Sequence, residues 1–211
     1  MALLSAFNKD TANNLQLDAG IICKGITNPY KPTADELKNK CIGATSGGAE
    51  FEVTPEITNI FEDLDDAKGK YKGGVEITNI DIVFSFTMKE MTAENFKLAM
   101  GCADITQVKA NEVQANELSS DNLHHTLLTP RLEIKDEDFI DNICWYGRKR
   151  NGEKVCIVLH NVFNEGGLNY TSESAGKGSL EVELHAFFDL KNPDKVPYEV
   201  IIFDASANLG E

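Results

Sequence analysis

The sequence predicts a mainly β protein: an antiparallel sandwich or barrel with one flanking α-helix. Three observations predict it. Ile80, Ile82, Phe84, Phe86 and Met88 alternate with Asp81, Val83, Ser85, Thr87 and Lys89, the period of a half-buried strand. The same period returns where Leu180, Val182, Leu184, Ala186 and Phe188 alternate with Glu181, Glu183, His185 and Phe187. Between them, Asn151-Gly152 separates two apolar runs, a strong hairpin signal. Only one segment, from Thr92 to Gly101, reads as a convincing helix, against about eight strands.

Taken in order, residues 1–14 are polar and weakly patterned and read as an N-terminal arm. Residues 15–204 read as one domain and 205–211 as a C-terminal tail. Residues 15–26 contain a strand, which Asn28-Pro29 and Pro32 terminate. Residues 33–40 fit about two turns of helix, with Thr33 as N-cap and Glu36 completing a capping box. Phe51 and Val53 alternate with Glu50, Glu52 and Thr54. Pro55 then calls for a bulge or a sheet edge, because proline cannot donate to a ladder.

The pentapeptide EITNI occurs twice, at residues 56–60 and 76–80. The identity stops after five residues, so a solenoid repeat is the weaker reading. Two arms of a long hairpin, or adjacent strands, is the stronger one. The excursion between the copies is charged and carries Gly69, Gly73 and Gly74. It is long for a tight turn, which makes it a candidate contact loop. Its residues are Phe61, Glu62, Asp63, Asp65, Asp66, Lys68, Lys70, Tyr71 and Lys72.

In the helix that follows, Thr92 is the expected N-cap, Glu94 lies in the first turn and Gly101 can end it. Residues 105–126 are polar and carry no clear period. A short strand is expected over 127–134, then an acidic turn, then a strand through Ile143 and Trp145. The return strand VCIVLHNVF and a last strand PYEVIIF close the set.

Composition narrows the function. The net charge is −14, and an acidic surface repels phosphate, which disfavours specific nucleic-acid recognition. The five cysteines are odd in number and form no CxxC pair, so they read as buried free thiols of a reducing compartment. No stretch has the features of a signal peptide or the length of a membrane helix, so folding in a cytoplasm is the expectation.

Signatures of chemistry are sparse. No phosphate-binding glycine loop, nucleophile elbow or zinc-binding helix motif occurs. His124-His125 reads as an exposed polar loop, since neighbours in a strand point to opposite faces. His160 and His185 read as satisfied or solvated strand residues. Asp136, Glu137, Asp138 and Asp141 read as a solvated turn, without the spacing of a calcium loop. Trp145 and Tyr146 invite comparison with a sugar-binding platform, but alternation with Ile143 favours the core for Trp145. No cofactor and no metal are implied.

The order of these segments resembles the major tail protein, or tail tube protein, of long-tailed bacteriophages of Gram-positive bacteria. The resemblance spans residues 13–204. It rests on LQLDAGIICKG, GATSGGAEFEVTPEITNI, AKGKYKGG, MTAENFKLAMGCAD, IKDEDFIDNICWYG, GSLEVELHAFFDL and PYEVIIF. It implies a β-sandwich with a flanking helix and a long hairpin. It implies hexameric rings stacked into a tube that carries the genome to the host. It implies a structural virion protein and not an enzyme, assembled in the host cytoplasm. The implied partners are further copies of itself, tape-measure, tail terminator and baseplate proteins, and DNA that passes without specific binding. It implies no membrane partner.

Under that resemblance the hairpin builds the inner wall of the tube. Alternation then puts Glu50, Glu52, Thr54, Asp81, Ser85 and Thr87 towards the lumen. Residues 61–74 would meet the neighbouring ring or subunit, and both chain ends would order on stacking. Two other readings remain open: a carbohydrate-binding or hydrolytic β-sandwich, and another virion part such as a tail terminator or capsid decoration protein.

Overall fold

The computed structural model describes residues 10–16, 18–108, 124–174, 176–206 and 209. The protein is mainly β, with 47% strand against 12% helix, and its sheets are antiparallel. The elements run β1 (Ile21–Lys24), α1 (Ala34–Asn39), β2 (Thr45–Asn59), β3 (Val75–Met88), α2 (Ala93–Met100), β4 (Ala103–Val108) and β5 (His125–Pro130). They continue with β6 (Ile140–Arg148), β7 (Lys154–Asn164), β8 (Asn169–Thr171), β9 (Ser179–Ala186) and β10 (Tyr198–Phe203). An eight-stranded sheet has the order β1-β6-β7-β9-β3-β2, with β10 added on β7 and β8 on β9; β4 and β5 form a separate ribbon.

Strand β7 organises the large sheet. Along one side it pairs with β6 from Lys154 to Val162. On the other side its first half pairs with β10, Leu159 opposite Tyr198, and its last residues pair with β9, Val162 opposite Ala186. The change of partner falls at Asn161, whose φ is 50°. Asparagine is among the few residues other than glycine that tolerate the left-handed region. Its carbonyl accepts from Phe187 N at 3.1 Å, which fixes where β9 departs.

The sheet therefore has two arms, and they share one core. Ile22, Ile143, Trp145 and Leu159 come from the first arm, and Ile82, Phe84, Phe86, Leu180 and Leu184 from the second. Phe51 meets Tyr198 across the arms at 5.5 Å between ring centroids. Burying each large side chain of this kind stabilises the fold by about 1.5–3 kcal/mol. A second cluster lies on the outer face of the first arm. It joins Cys23, Cys144, Tyr146, Cys156 and Val158 with Leu37 of α1, Cys41 and Leu209.

Both helices form where their caps require. Thr33 and Glu36 make the expected capping box. Thr92 Oγ1 accepts from Asn95 N at 3.1 Å and opens α2. Gly101 ends it with φ 73°, and a side chain there would press on Asn164 O at 2.9 Å. Asn164, at the end of β7, donates its amide to Leu98 O and Ala99 O at 3.1 and 2.6 Å. These bonds satisfy carbonyls that the end of a helix leaves open. Leu98 and Ala99 of α2 join the main core.

Several expectations are corrected. The strand expected over 127–134 runs instead over His125–Pro130 and ends where Arg131 turns towards two carboxylates. His125 therefore opens a strand and does not lie in a loop. Its partner strand β4 occupies the start of the stretch that carried no clear period, and residues 109–123 of that stretch lie outside the described residues. The acidic turn is not wholly solvated. Asp138 is buried and takes Arg131 at 2.6 Å and Lys135 N at 2.8 Å. Strand β8 is three residues long, too short to leave a period in sequence. Phe188 lies beyond the end of β9.

Residues 1–9 of the proposed arm lie outside the described residues, as do 207, 208, 210 and 211 of the tail. The last residues of the arm, Thr11–Asn14, form a 3-10 turn, and Asn13 O accepts from Asn151 N at 3.2 Å.

Candidate functional site

The two EITNI copies pair with each other. Glu56 lies opposite Asn79, Ile57 opposite Ile77 and Thr58 opposite Glu76. The hydroxyls of Thr58 and Thr78 meet at 3.2 Å. The repeat is thus the two arms of one hairpin, connected through residues 60–74, with a bulge in its ladder between Glu56 and Ile57. Strand β2 is the edge of the sheet, and this is why it can carry Pro55. A second irregularity sits at Gly47 and Gly48, with φ of 79° and 83°.

Register places six predicted residues on one face. Glu50 faces Ser85, Thr54 faces Asp81, and Ser46 faces Thr87. Glu52, opposite Val83, continues the row. Their neighbours Phe51, Val53, Ile82, Phe84 and Phe86 pack on the core from the other face. Glu50, Glu52, Thr54 and Asp81 are exposed; Ser85 and Thr87 are half-buried.

The face is wider than the sequence revealed. Strand β9 pairs with β3, bringing Glu181 opposite Thr87, Glu183 opposite Ser85 and His185 opposite Val83. The alternation of β9 was visible, but alternation does not say which strand lies alongside. His185 is held among three carboxylates: Asp81 at 3.2 Å, Glu183 at 3.3 Å and Glu165 at 3.9 Å. Burial alone would push its pKa down, but the hydrogen bonds to Glu183 and Asp81 and the charge of Glu165 prevail and raise it. Beside this row lies an open depression of about 410 Å³, lined by Gly47, Gly48, Thr87, Gly166, Glu181 and Glu183. Its walls are acidic and suit water or cations better than phosphate.

Beyond the core the hairpin changes character. Ile57, Ile60, Leu64, Tyr71, Val75 and Ile77 are all exposed, Ile77 at 60%. Cross-strand register puts Ile57, Ile77 and Val75 on one face past the bulge. The loop itself is folded. Phe61 is half-buried and stacks edge-on with Tyr71 at 6.1 Å, and Tyr71 Oη accepts from Lys68 N at 3.3 Å. Glu62, Asp63, Asp65, Asp66, Lys68, Lys70, Tyr71 and Lys72 are exposed. The charged residues drew attention in the sequence; the flanking isoleucines and valine read there as ordinary strand residues.

The remaining candidates do not converge on chemistry. His160 Nε2 is 3.6 Å from Glu199 Oε1, and burial lowers its pKa despite that carboxylate. Glu199 is also held by Lys195 at 2.9 Å and by the Tyr30 hydroxyl. Trp145 is buried in the core and donates its indole N–H to Ala19 O at 3.0 Å. Among the described residues, no group of His, Cys, Asp or Glu is arranged to hold a metal ion. Among them too, no helix is long and apolar enough to cross a membrane. No family model matches the chain, and no curated protein matches it.

Proposed function

We propose that this chain is the subunit of a phage tail tube: a structural virion protein that assembles as hexameric rings, stacks them, and encloses the path of DNA ejection. One observation carries the reading. The β2–β3 hairpin with β9 presents a continuous acidic face, and the same hairpin runs past the core into an exposed apolar tip. A wall that DNA must slide along should repel phosphate, and a net charge of −14 per chain supplies that repulsion. A ring subunit needs a sticky projection, and patches of exposed apolar side chains mark contact sites.

In this reading Glu50, Glu52, Thr54, Asp81, Ser85 and Thr87 face the lumen, joined by Glu181, Glu183 and His185. Residues 61–74 and the isoleucines beside them meet a neighbouring subunit or ring. The tail tube form of the β-sandwich, the virion location and the tape-measure, terminator and baseplate partners belong to the same proposal. So does the absence of catalysis. A carbohydrate-binding sandwich gains no support, because its natural platform, the one tryptophan, is buried.

The test is electron microscopy of the purified full chain over a concentration series, with light scattering alongside. Hollow tubes of stacked six-fold rings are expected. A compact monomer at every concentration, even after addition of preformed tail tips as initiators, overturns the proposal.

A further inference from the structure

The second cluster aligns four of the five cysteines in a row across neighbouring chain segments. Cys23 of β1 pairs with Cys144 of β6, Cys156 of β7 lies beside them, and Cys41 bridges to Cys23 from the other side. The two pairings of Cys23 differ in kind. Next to Cys41 the hydrogen bonds are made by the flanking residues, Ile42 N to Ile22 O at 3.0 Å and Lys24 N to Lys40 O at 2.9 Å. Cys23–Cys41 is therefore a non-hydrogen-bonded antiparallel pair, the type that holds Cα atoms about 4.5 Å apart. That spacing lies inside the range a disulfide spans, about 4.4–6.8 Å. Next to Cys144 the alternation places Cys23 in a hydrogen-bonded pair, since Gly25 N, two residues on, donates to Asn142 O at 2.8 Å. Pairs of that type stand wider, at about 5.5 Å.

Access separates the same thiols. Cys23, Cys144 and Cys156 are fully buried, whereas Cys41 is partly exposed at the end of the α1 segment. All five are free thiols in this structure. We infer that Cys23 and Cys41 form a redox modification site, which a small-molecule disulfide converts to a cross-strand disulfide. This inference rests on the strand pairing alone and does not depend on the tail tube reading.

The exchange proceeds in two steps. Cys41 thiolate attacks one sulfur of the reagent, forming a mixed disulfide and releasing one small thiol, which carries the proton Cys41 lost. Cys23 sulfur then attacks Cys41 sulfur, the protein disulfide forms, and a second small thiol leaves with the proton of Cys23. Two protein thiols are oxidised and one reagent disulfide is reduced. The second step is slow. Burial is the main influence that pushes the Cys23 thiol up, and it persists after Cys41 has reacted; the Cys23 S–H points at Leu37 O at 3.9 Å. Once closed, the bond ties the α1 segment to the sheet over a loop whose cross-linking restricts the unfolded chain.

The test uses the full chain with oxidised glutathione. The expected product is the protein less two hydrogen atoms, with a single cross-linked peptide joining Cys23 to Cys41. Its Tm should rise by about 5–10 °C and fall back on reduction. Cys41→Ser should abolish both the cross-link and the shift, while Cys102→Ser leaves them intact. A stable glutathione adduct at Cys41 without closure overturns the inference. So does a cross-link through Cys144 or Cys156, or a thiol content that oxidised glutathione leaves unchanged in the folded chain.

Discussion

At the scale of single residues, His185 is the most informative group. It sits on the acidic face with Asp81, Glu183 and Glu165 around it. These carboxylates favour the imidazolium, so its folded pKa lies above the ordinary value of about 6.5. A group raised on folding stabilises the fold below its unfolded pKa. That contribution is lost as pH rises through the folded value. An NMR titration of the His185 ring should therefore give a midpoint above that of a free histidine, and Asp81→Asn should move it down. A midpoint at or below the free value would mean that burial outweighs the carboxylates. None of this was legible in sequence, because Asp81 and His185 stand 104 residues apart and meet only through the β3–β9 register. Asp138 taught the same lesson. A run of acids reads as solvated until folding turns Arg131, only seven residues before Asp138 and bridged also to Asp104, onto one of them.

At the scale of elements, the β2–β3 hairpin was the best foretold part of the chain. Its alternation is unbroken from Ile80 to Met88, and the repeated EITNI turned out to be the pairing itself. Register past the bulge was not legible, because a bulge depends on which strand carries the extra residue. That register makes a neighbouring pair of Ile57 and Ile77. Ile77→Lys should cost the isolated chain less than about 1 kcal/mol, since the side chain is 60% exposed. The same change should abolish tubes in the electron micrographs. Tubes that form with ordinary yield would remove the tip from the proposed contacts. The short strands β4 and β8 were missed for the opposite reason: neither holds enough apolar residues to leave a period.

At the scale of the whole molecule, sequence foretold a mainly β chain with one clear helix but not the fork in its sheet. Partner choice along β7 switches at one asparagine, and no local preference announces it. The acidic face crosses three strands of the second arm, so its effect is collective. On the tail tube proposal, phage assembled with both Glu52→Lys and Asp81→Lys should have intact tails and slower DNA ejection, because cations in the wall would bind passing phosphates. Ejection kinetics equal to those of the parent phage would remove the lumen assignment. The fork has a consequence of its own for how the chain reaches this state. The β6–β7 hairpin closes locally across Asn151-Gly152, while β1, β9 and β10 must be recruited to it from far along the chain. Such distant pairings bear the entropy of large loops before they return any contact, which slows folding. Because both arms are anchored on the same strand, neither can be completed until β7 is in place. Damage to β7 should then slow the folding of both arms together and not weaken one of them alone.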